Sequence, residues 1–306
     1  MGNTITHAEL FQKTLDKQMT AKLTSGWMEA NAGQVIYNGG KTVKIPTISM
    51  QGLGNYSRST GYVNGDVTLT YQTFDMKMDR GRSFSLDAMD VNETNFVANA
   101  STVLGVFQST KVVPEVDAYR YATISSKIIA TDVNFDRVTE SYNPNAVDIY
   151  GKLISDIAKV RDKVGDIPLV ITMSTAVSAI LSQAGDLSRF ISMTDFKKGE
   201  ITTRVKSIDD TPIIEVPSAR MFSKYTFAAD GAGGFTKAAD AKTINWMITP
   251  LHGPIAVSKT DKPRIFTPEQ NQSADAYKID YRKYHDVWIT AEMLNVSLVN
   301  IKETKA

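Results

Sequence analysis

Residues 42–76 hold the feature that most constrains the fold: two long strand-like arms joined by a tip with little to pack against itself. The segments 42–50 and 66–76 are rich in Val, Ile, Thr, Tyr and Phe, residues that fit a pleated, half-buried surface. Val43 and Ile45, then Val67, Leu69 and Tyr71, alternate with other residues as half-buried strands do. Between the arms, residues 51–65 contain four glycines (Gly52, Gly54, Gly61 and Gly65) among mostly polar neighbours, which reads as a flexible tip. Nine residues at ~3.3 Å each make an arm of roughly 30 Å. A lone two-stranded hairpin of that reach is barely stable in water. It needs a neighbour to lie against.

The flanking segments pose the same demand. Thr6 and Glu9 have the spacing of a capping box, and Phe11, Leu15, Met19 and Leu23 recur at four-residue steps, predicting an amphipathic helix that ends near Gly26. One helix of that length is marginal alone, so its apolar stripe must rest on the later body or on another subunit. Short strands are expected at 35–37 and 82–86. After a cap at Asp90 or Asn92, the stripe Phe96, Ala100, Val103, Leu104 and Phe107 predicts a helix of about 20 residues and ~30 Å. A second helix opens at Pro114 and carries Val116, Tyr119, Thr123 and Ile124 on one side.

Residues 136–242 read as a separate α/β lobe. A helix opens at Asn143-Pro144, carries Ala146, Tyr150, Leu153, Ile154, Ile157, Val160 and Val164 in register, and stops at Gly165. A buried strand follows at 169–173, then a shorter helix capped by Ser174 and ending at Gly185. A turn plus strand occupies 208–217, and 228–234 is a loop. Strands return at 245–249, 255–259 and 265–266, with a long alternating span at 277–291 and a last apolar run at 293–301.

Composition removes several function classes. Of 306 residues, 42% are hydrophobic and 22% charged, an ordinary globular balance. Lys plus Arg number 34 against 33 for Asp plus Glu, a formal charge of +1, which argues against a protein built to grip nucleic acid through a basic surface. Cysteine is absent, which excludes disulfides, thiolate metal sites and cysteine nucleophiles. The first residues lack the pattern of a secretory signal, and no apolar run reaches the roughly 18 residues of a membrane span. The five Asn-x-Ser/Thr triplets are read as chance in a protein without a secretion route.

Each chemical motif has a plainer reading. Gly39-Gly40-Lys41-Thr42 resembles the end of a phosphate-binding loop, but position 35 is Val and a strand pattern follows where a helix is required. His7, His252 and His285 are far apart and lack metal-ligand spacing. No Gly-x-Ser-x-Gly elbow accompanies them, so His252 and His285 are expected as packed or surface residues. Asp90 and Glu93 fit an acidic helix start, while Arg80 and Arg82 are expected to pair with a neighbouring subunit. Tyr277, Tyr281 and Trp288 are expected in a core rather than stacked on bases. No catalytic, cofactor or metal residue is expected.

The order of elements is arm helix, long Gly-tipped hairpin, long helix, α/β lobe and returning strands. Together with Val113-Pro114-Glu115-Val116-Asp117-Ala118-Tyr119-Arg120, and with the segments 211–220, 276–282 and 284–288, it resembles the major capsid proteins of tailed bacteriophages of the Hong Kong 97 type. The likeness covers nearly the whole chain and implies an α+β capsid fold. It implies an N-terminal arm at 1–33, an extended hairpin loop at 34–76 and a peripheral domain at 77–135 with a spine helix. An axial α/β domain at 136–244 and a second peripheral part at 245–306 complete it.

By the same resemblance, the protein would assemble with itself into pentamers and hexamers of an icosahedral shell in the virion. Assembly would occur in the host bacterial cytoplasm, with a portal and a separate scaffolding protein. The shell would enclose double-stranded DNA without reading its sequence, and would involve no membrane. Inter-subunit contacts are expected at Phe11, Leu15, Met19, Leu23, Gly52, Gly54, Tyr56, Arg58, Tyr62, Arg80, Arg82 and Glu93. Some relatives join subunits through a lysine in the extended loop; no lysine lies between Lys44 and Lys77, so no such crosslink is expected. A cellular encapsulin-type compartment is the near alternative, and a soluble α+β enzyme the distant one.

Overall fold

The computed structural model describes residues 23–34, 36–37, 41–87, 89, 100–133, 136–184, 192–198, 201–229, 231 and 233–305. Most of the helix expected before Gly26, the caps at Asp90 and Asn92, and Phe96 and Glu93 lie outside them.

A 3₁₀ helix, Gly26–Gln34, leads into Ile36–Tyr37 (β1), Thr42–Met50 (β2) and Val67–Asp75 (β3), an antiparallel sheet in the order β1-β2-β3. The hairpin expected from the glycine-tipped arms is therefore present, with β2 and β3 paired over their whole length. Met78–Asp87 (β4) follows.

Ala100–Phe107 (α1) runs through a π-helical turn, Gln108–Val112, into Val113–Thr131 (α2). The second helix expected from Pro114 begins at Val113, but no gap separates it from the first, and 100–131 form one continuous helical rod of about 48 Å at 1.5 Å per residue. Pro114 falls in the first turn of α2, where its missing N–H is tolerated. In the wider turn before it, Val113 N–H bonds to Gln108 O. Side chains take up neighbouring carbonyls: Ser109 Oγ donates to Gly105 O at 2.9 Å and Thr110 Oγ1 to Val106 O at 2.7 Å.

Next come Val138–Thr139 (β5), Ile149–Val164 (α3), Leu169–Ser174 (β6), Thr175–Gln183 (α4), Ser192–Lys198 (β7), Ile201–Ile208 (β8) and Thr211–Val216 (β9). Helix α3 starts later than expected because Asn145 Oδ1 accepts the N–H groups of Val147 and Asp148, holding a turn there. It ends at Gly165, whose φ of 69° a side chain would resist. The tight turn between β8 and β9 uses Asp209 and Asp210, both at positive φ.

Tyr225–Phe227 (β10) and Phe235–Lys237 (β11) form a small hairpin around the expected loop. Ile244–Pro250 (β12), Pro254–Phe266 (β13), Ala276–Ile289 (β14), Ala291–Asn295 (α5) and Leu298–Ile301 (β15) complete the described residues. The two short strands expected at 255–259 and 265–266 are one 13-residue strand, irregular only between Ser258 and Thr260. Its polar middle hides the continuity, since β14 holds it by backbone bonds whatever its side chains.

Seven strands form the main sheet in the order β5-β15-β12-β6-β9-β8-β7. Strand β6, Leu-Val-Ile-Thr-Met-Ser, is buried throughout because both faces are covered. Leu169, Ile171 and Met173 join Trp246 and Ile248 under Leu153, Ile157 and Val160 of α3. On the other face Val170, Met247 and Val299 meet Tyr121, Ile124 and Ile128 of α2. Strands β12 and β15 belong to this sheet, so it spans the domain boundary expected at residue 244. Strands β13, β14 and β4 form a second, three-stranded sheet, against which α1 and the start of α2 pack through Leu104, Val113, Val116, Ile279 and Tyr281.

Candidate inter-subunit surface

The register of the long hairpin divides its residues by face. Pro46, Ile48 and Met50 stand directly opposite Tyr71, Leu69 and Val67, and residues two apart on a strand share a face. These six therefore form one apolar face, and all six are exposed. Met50 and Val67 keep 71% and 69% of their surface open, whereas a half-buried strand would hide them. The reverse face is occupied only at its root: Val43 and Ile45 are buried with Met76, Ile255, Val257 and Trp288, and Phe74 stacks on Trp288 at 5.9 Å. Opposite Ile45 the reverse face turns polar at Gln72, which accepts from Ala291 N at 3.3 Å and donates through Nε2 to Thr47 Oγ1 at 3.3 Å; one pair farther out, Thr70 Oγ1 donates to Thr47 O at 3.4 Å. The root is thus packed into the body, and the outer hairpin presents a bare apolar face.

The tip adds to that surface. Ser57 and Gly61 exchange backbone bonds of 3.2 and 2.8 Å, with Gly61 at φ 78°, and this small turn sets Tyr56 beside Tyr62 at 5.0 Å between ring centres. Leu53, Tyr56, Tyr62 and Val63 are all exposed, and Arg58 is exposed between them. A Cβ on Gly54 would come within 3.1 Å of Val63 Cβ, so that glycine permits close approach of the two sides of the tip. Gly52 faces open space.

Leu23 and Arg80 are used inside the subunit. Leu23 is buried with Leu104, Val112, Val116 and Tyr281. Arg80 pairs with Glu115 at 2.5 Å, donates to Ala228 O at 2.8 Å and to Gly234 O at 3.2 Å, and lies 5.8 Å from the centre of the Phe227 ring. Burial pushes the Glu115 carboxyl above its ordinary range even with the Arg80 charge opposing it. Arg82 is exposed beside Gly233. Phe11, Leu15, Met19 and Glu93 lie outside the described residues.

One buried junction escapes local sequence patterns. Asp117 of α2, fully buried, accepts from Thr24 N and Oγ1, from Ser25 N and Oγ (2.6 Å), and from Arg220 Nη1 (2.9 Å). One turn on, Arg120 donates to Ser25 O at 3.3 Å and to Glu29 Oε1 at 2.5 Å. Burial would raise the Glu29 carboxyl, but the Arg120 and Lys283 charges outweigh it and hold it low. This junction ties the root of the N-terminal segment to the long helix and to the 218–220 turn. Opposite charges three residues apart within an apolar stripe are its one signal in the sequence. Of the packed and surface positions open to it, His285 takes the packed one, and burial first, then the charges of Arg120 and Lys283, hold its imidazole well below the usual histidine range.

Among the described residues no group of three acidic or histidine side chains could hold a metal ion, and no helix is long and apolar enough to cross a membrane. No protein-family model matches the sequence, and no curated protein matches it either. Solved structures do match. The capsid structure of the cyanophage P-SCSP1u superposes with a TM-score of 0.59 at 12% identity, over 86% of this chain and 83% of that one. The chain has the capsid fold of the Hong Kong 97 type. A protein from Mycobacterium phage Ogopogo matches with a TM-score of 0.55 at 9% identity, over 84% of this capsid-fold chain and 86% of its own. The asymmetric unit of the bacteriophage PhiM1 mature capsid gives 0.53 at 10% identity, over 87% and 83%. At such identities the backbone arrangement is what is shared.

Proposed function

We propose that the protein is the major head protein of a tailed bacteriophage or prophage, a structural protein without catalytic activity. Its copies would form pentamers and hexamers of an icosahedral shell around double-stranded DNA, in the virion, with a portal and a separate scaffolding protein as partners. The observation that carries the reading is the open apolar face of Pro46, Ile48, Met50, Val67, Leu69 and Tyr71 on a capsid fold. In this reading 42–76 is the extended loop and 100–131 the spine helix. The lobe around the seven-stranded sheet is the axial domain, and the β13-β14-β4 sheet belongs to the peripheral domain.

Energetics favours many weak contacts over one strong pair. Burying a side chain of Val or Leu size contributes about 1.5–3 kcal/mol, so six half-covered ones give on the order of 5–10 kcal/mol gross. Association costs about 4–15 kcal/mol in lost freedom. A single hairpin contact therefore leaves copies dissociating, while a closed shell repeats it around every subunit. Electron microscopy of the purified, concentrated protein tests the reading, with co-expressed scaffold where the phage source supplies one. Closed particles are expected; a monomer or dimer under every assembly condition would overturn it.

A further inference from the structure

The hairpin tip also holds a chemically labile peptide link. Only two asparagines in the sequence precede glycine, Asn38 and Asn64. Asn38 lies outside the described residues. Asn64 and Gly65 are exposed, outside any strand, between the Ser57–Gly61 turn and the start of β3 at Val67. The closing contact of the loop skips this link: Asp66 N donates to Gln51 Oε1 at 3.4 Å, and among the described residues no hydrogen bond engages Gly65 N or the Asn64 side chain. The glycine places no Cβ in the path of its own nitrogen. Asn31, by contrast, is buried and donates to Leu251 O and Pro254 O at 3.0 and 2.7 Å.

We infer that Asn64–Gly65 is a spontaneous deamidation and isomerisation site on the hairpin tip. The Gly65 amide nitrogen, having lost its proton to hydroxide, attacks Asn64 Cγ. A new bond between that nitrogen and Cγ closes a five-membered imide, the bond from Cγ to Nδ2 breaks, and Nδ2 takes a proton from water and leaves as ammonia, which returns the hydroxide. Water then opens the ring at either carbonyl, giving aspartate or isoaspartate. No oxidant, metal or enzyme enters the balance. Arg58 and Asp66 are the charged residues of 51–66, so the conversion turns a neutral tip into one of net negative charge. The isoaspartate product also lengthens the backbone by one carbon beside the Gln51–Asp66 contact.

The test is peptide mapping of the purified full-length protein, incubated for days at mildly alkaline and mildly acid pH, with an unincubated digest as the zero point. Cleavage at Arg58 and Lys77 releases 59–77, which contains Asn64; cleavage at Lys44 and Arg58 releases 45–58, which contains the exposed Asn55 followed by Tyr56 as an internal control. The amide-to-acid mass gain, split between two chromatographic isomers, is expected to accumulate in 59–77 and faster at alkaline pH, with 45–58 unchanged. Gly65→Ala is expected to slow it about tenfold or more by crowding the attacking nitrogen. The nearest atom to the new methyl, on Gln51, lies at 3.9 Å, an ordinary contact that leaves the loop intact. Equal rates in the two peptides, or an unchanged rate in G65A, would overturn the assignment.

Discussion

Asp117 shows how much a single side chain organises here. Its carboxylate, with no exposed surface, gathers two backbone N–H groups, two hydroxyls and the Arg220 guanidinium. Removing one partner of a buried ion pair leaves the other uncompensated and costs about 3–5 kcal/mol. Asp117→Ala should lower the stability of the unassembled protomer by that amount in urea unfolding, and a change within about 0.5 kcal/mol would refute the junction's role. His285 sets a pH dependence. Burial and its cationic neighbours hold its folded pKa well below the ordinary histidine value, so as pH falls below about 6.5 the unfolded chain takes up a proton that the folded one refuses. Stability should drop below that pH by up to ~1.4 kcal/mol per unit. Glu29, with its carboxyl held low, contributes stability that is present above its unfolded value and is lost only as pH falls through its lower folded one. Glu115, with its carboxyl raised by burial, shifts stability in the opposite sense as pH falls, so the histidine's share is read from the difference between the wild-type and variant profiles. His285→Phe should flatten the stability profile below about pH 6.5; an unchanged slope would assign the effect elsewhere.

At the scale of elements, the hairpin carries two kinds of apolar residue that look alike in sequence. Ile45 is buried at the root beneath Trp288, and Ile45→Ala should cost about 2–5 kcal/mol of protomer stability. Ile48 and Leu69 face solvent across from each other. Replacing both with Asp should leave the protomer's urea midpoint nearly unchanged and abolish particles in electron micrographs; normal particles would exclude this face from assembly. The alternation of Val67, Leu69 and Tyr71 locates the strand and its two faces, but alternation says only that two faces differ, not which one the subunit itself covers. The long helix teaches a related lesson. Pro114 looks like a boundary in the sequence, yet a π-turn with Ser109 and Thr110 bonding back to earlier carbonyls carries the rod through.

At the scale of the whole molecule, the seven-stranded sheet and the long hairpin meet different demands. Helices α2 and α3 bury the sheet on its two faces, so the lobe is stabilised within one subunit, while the outer hairpin is not. Deleting 52–65 leaves Gln51 and Asp66 as a two-residue connection between the paired Met50 and Val67. The shortened protein should keep its circular dichroism and its cooperative unfolding, yet fail to form closed particles by size exclusion and microscopy. Particles of normal size would remove the tip from the assembly reading.

Patterns that depend on near neighbours along the sequence are legible in it directly. The glycine-tipped hairpin, the stripe of α3 ending at Gly165, the buried run of β6 and the absence of thiol chemistry all follow from residue types at short spacing, where backbone geometry leaves few alternatives. Strands β7, β8, β10 and β11 escape such patterns because their sequences carry little alternation and are defined by the partners they pair with. The same holds for the Asp117 junction, which joins residues about ninety positions apart, for the enlistment of Leu23 and Arg80 into contacts within the subunit, and for the side of the hairpin left bare. Sequence determines which side chains need cover; tertiary structure decides which of them receive it, because burial depends on contacts between segments whose meeting no local spacing encodes.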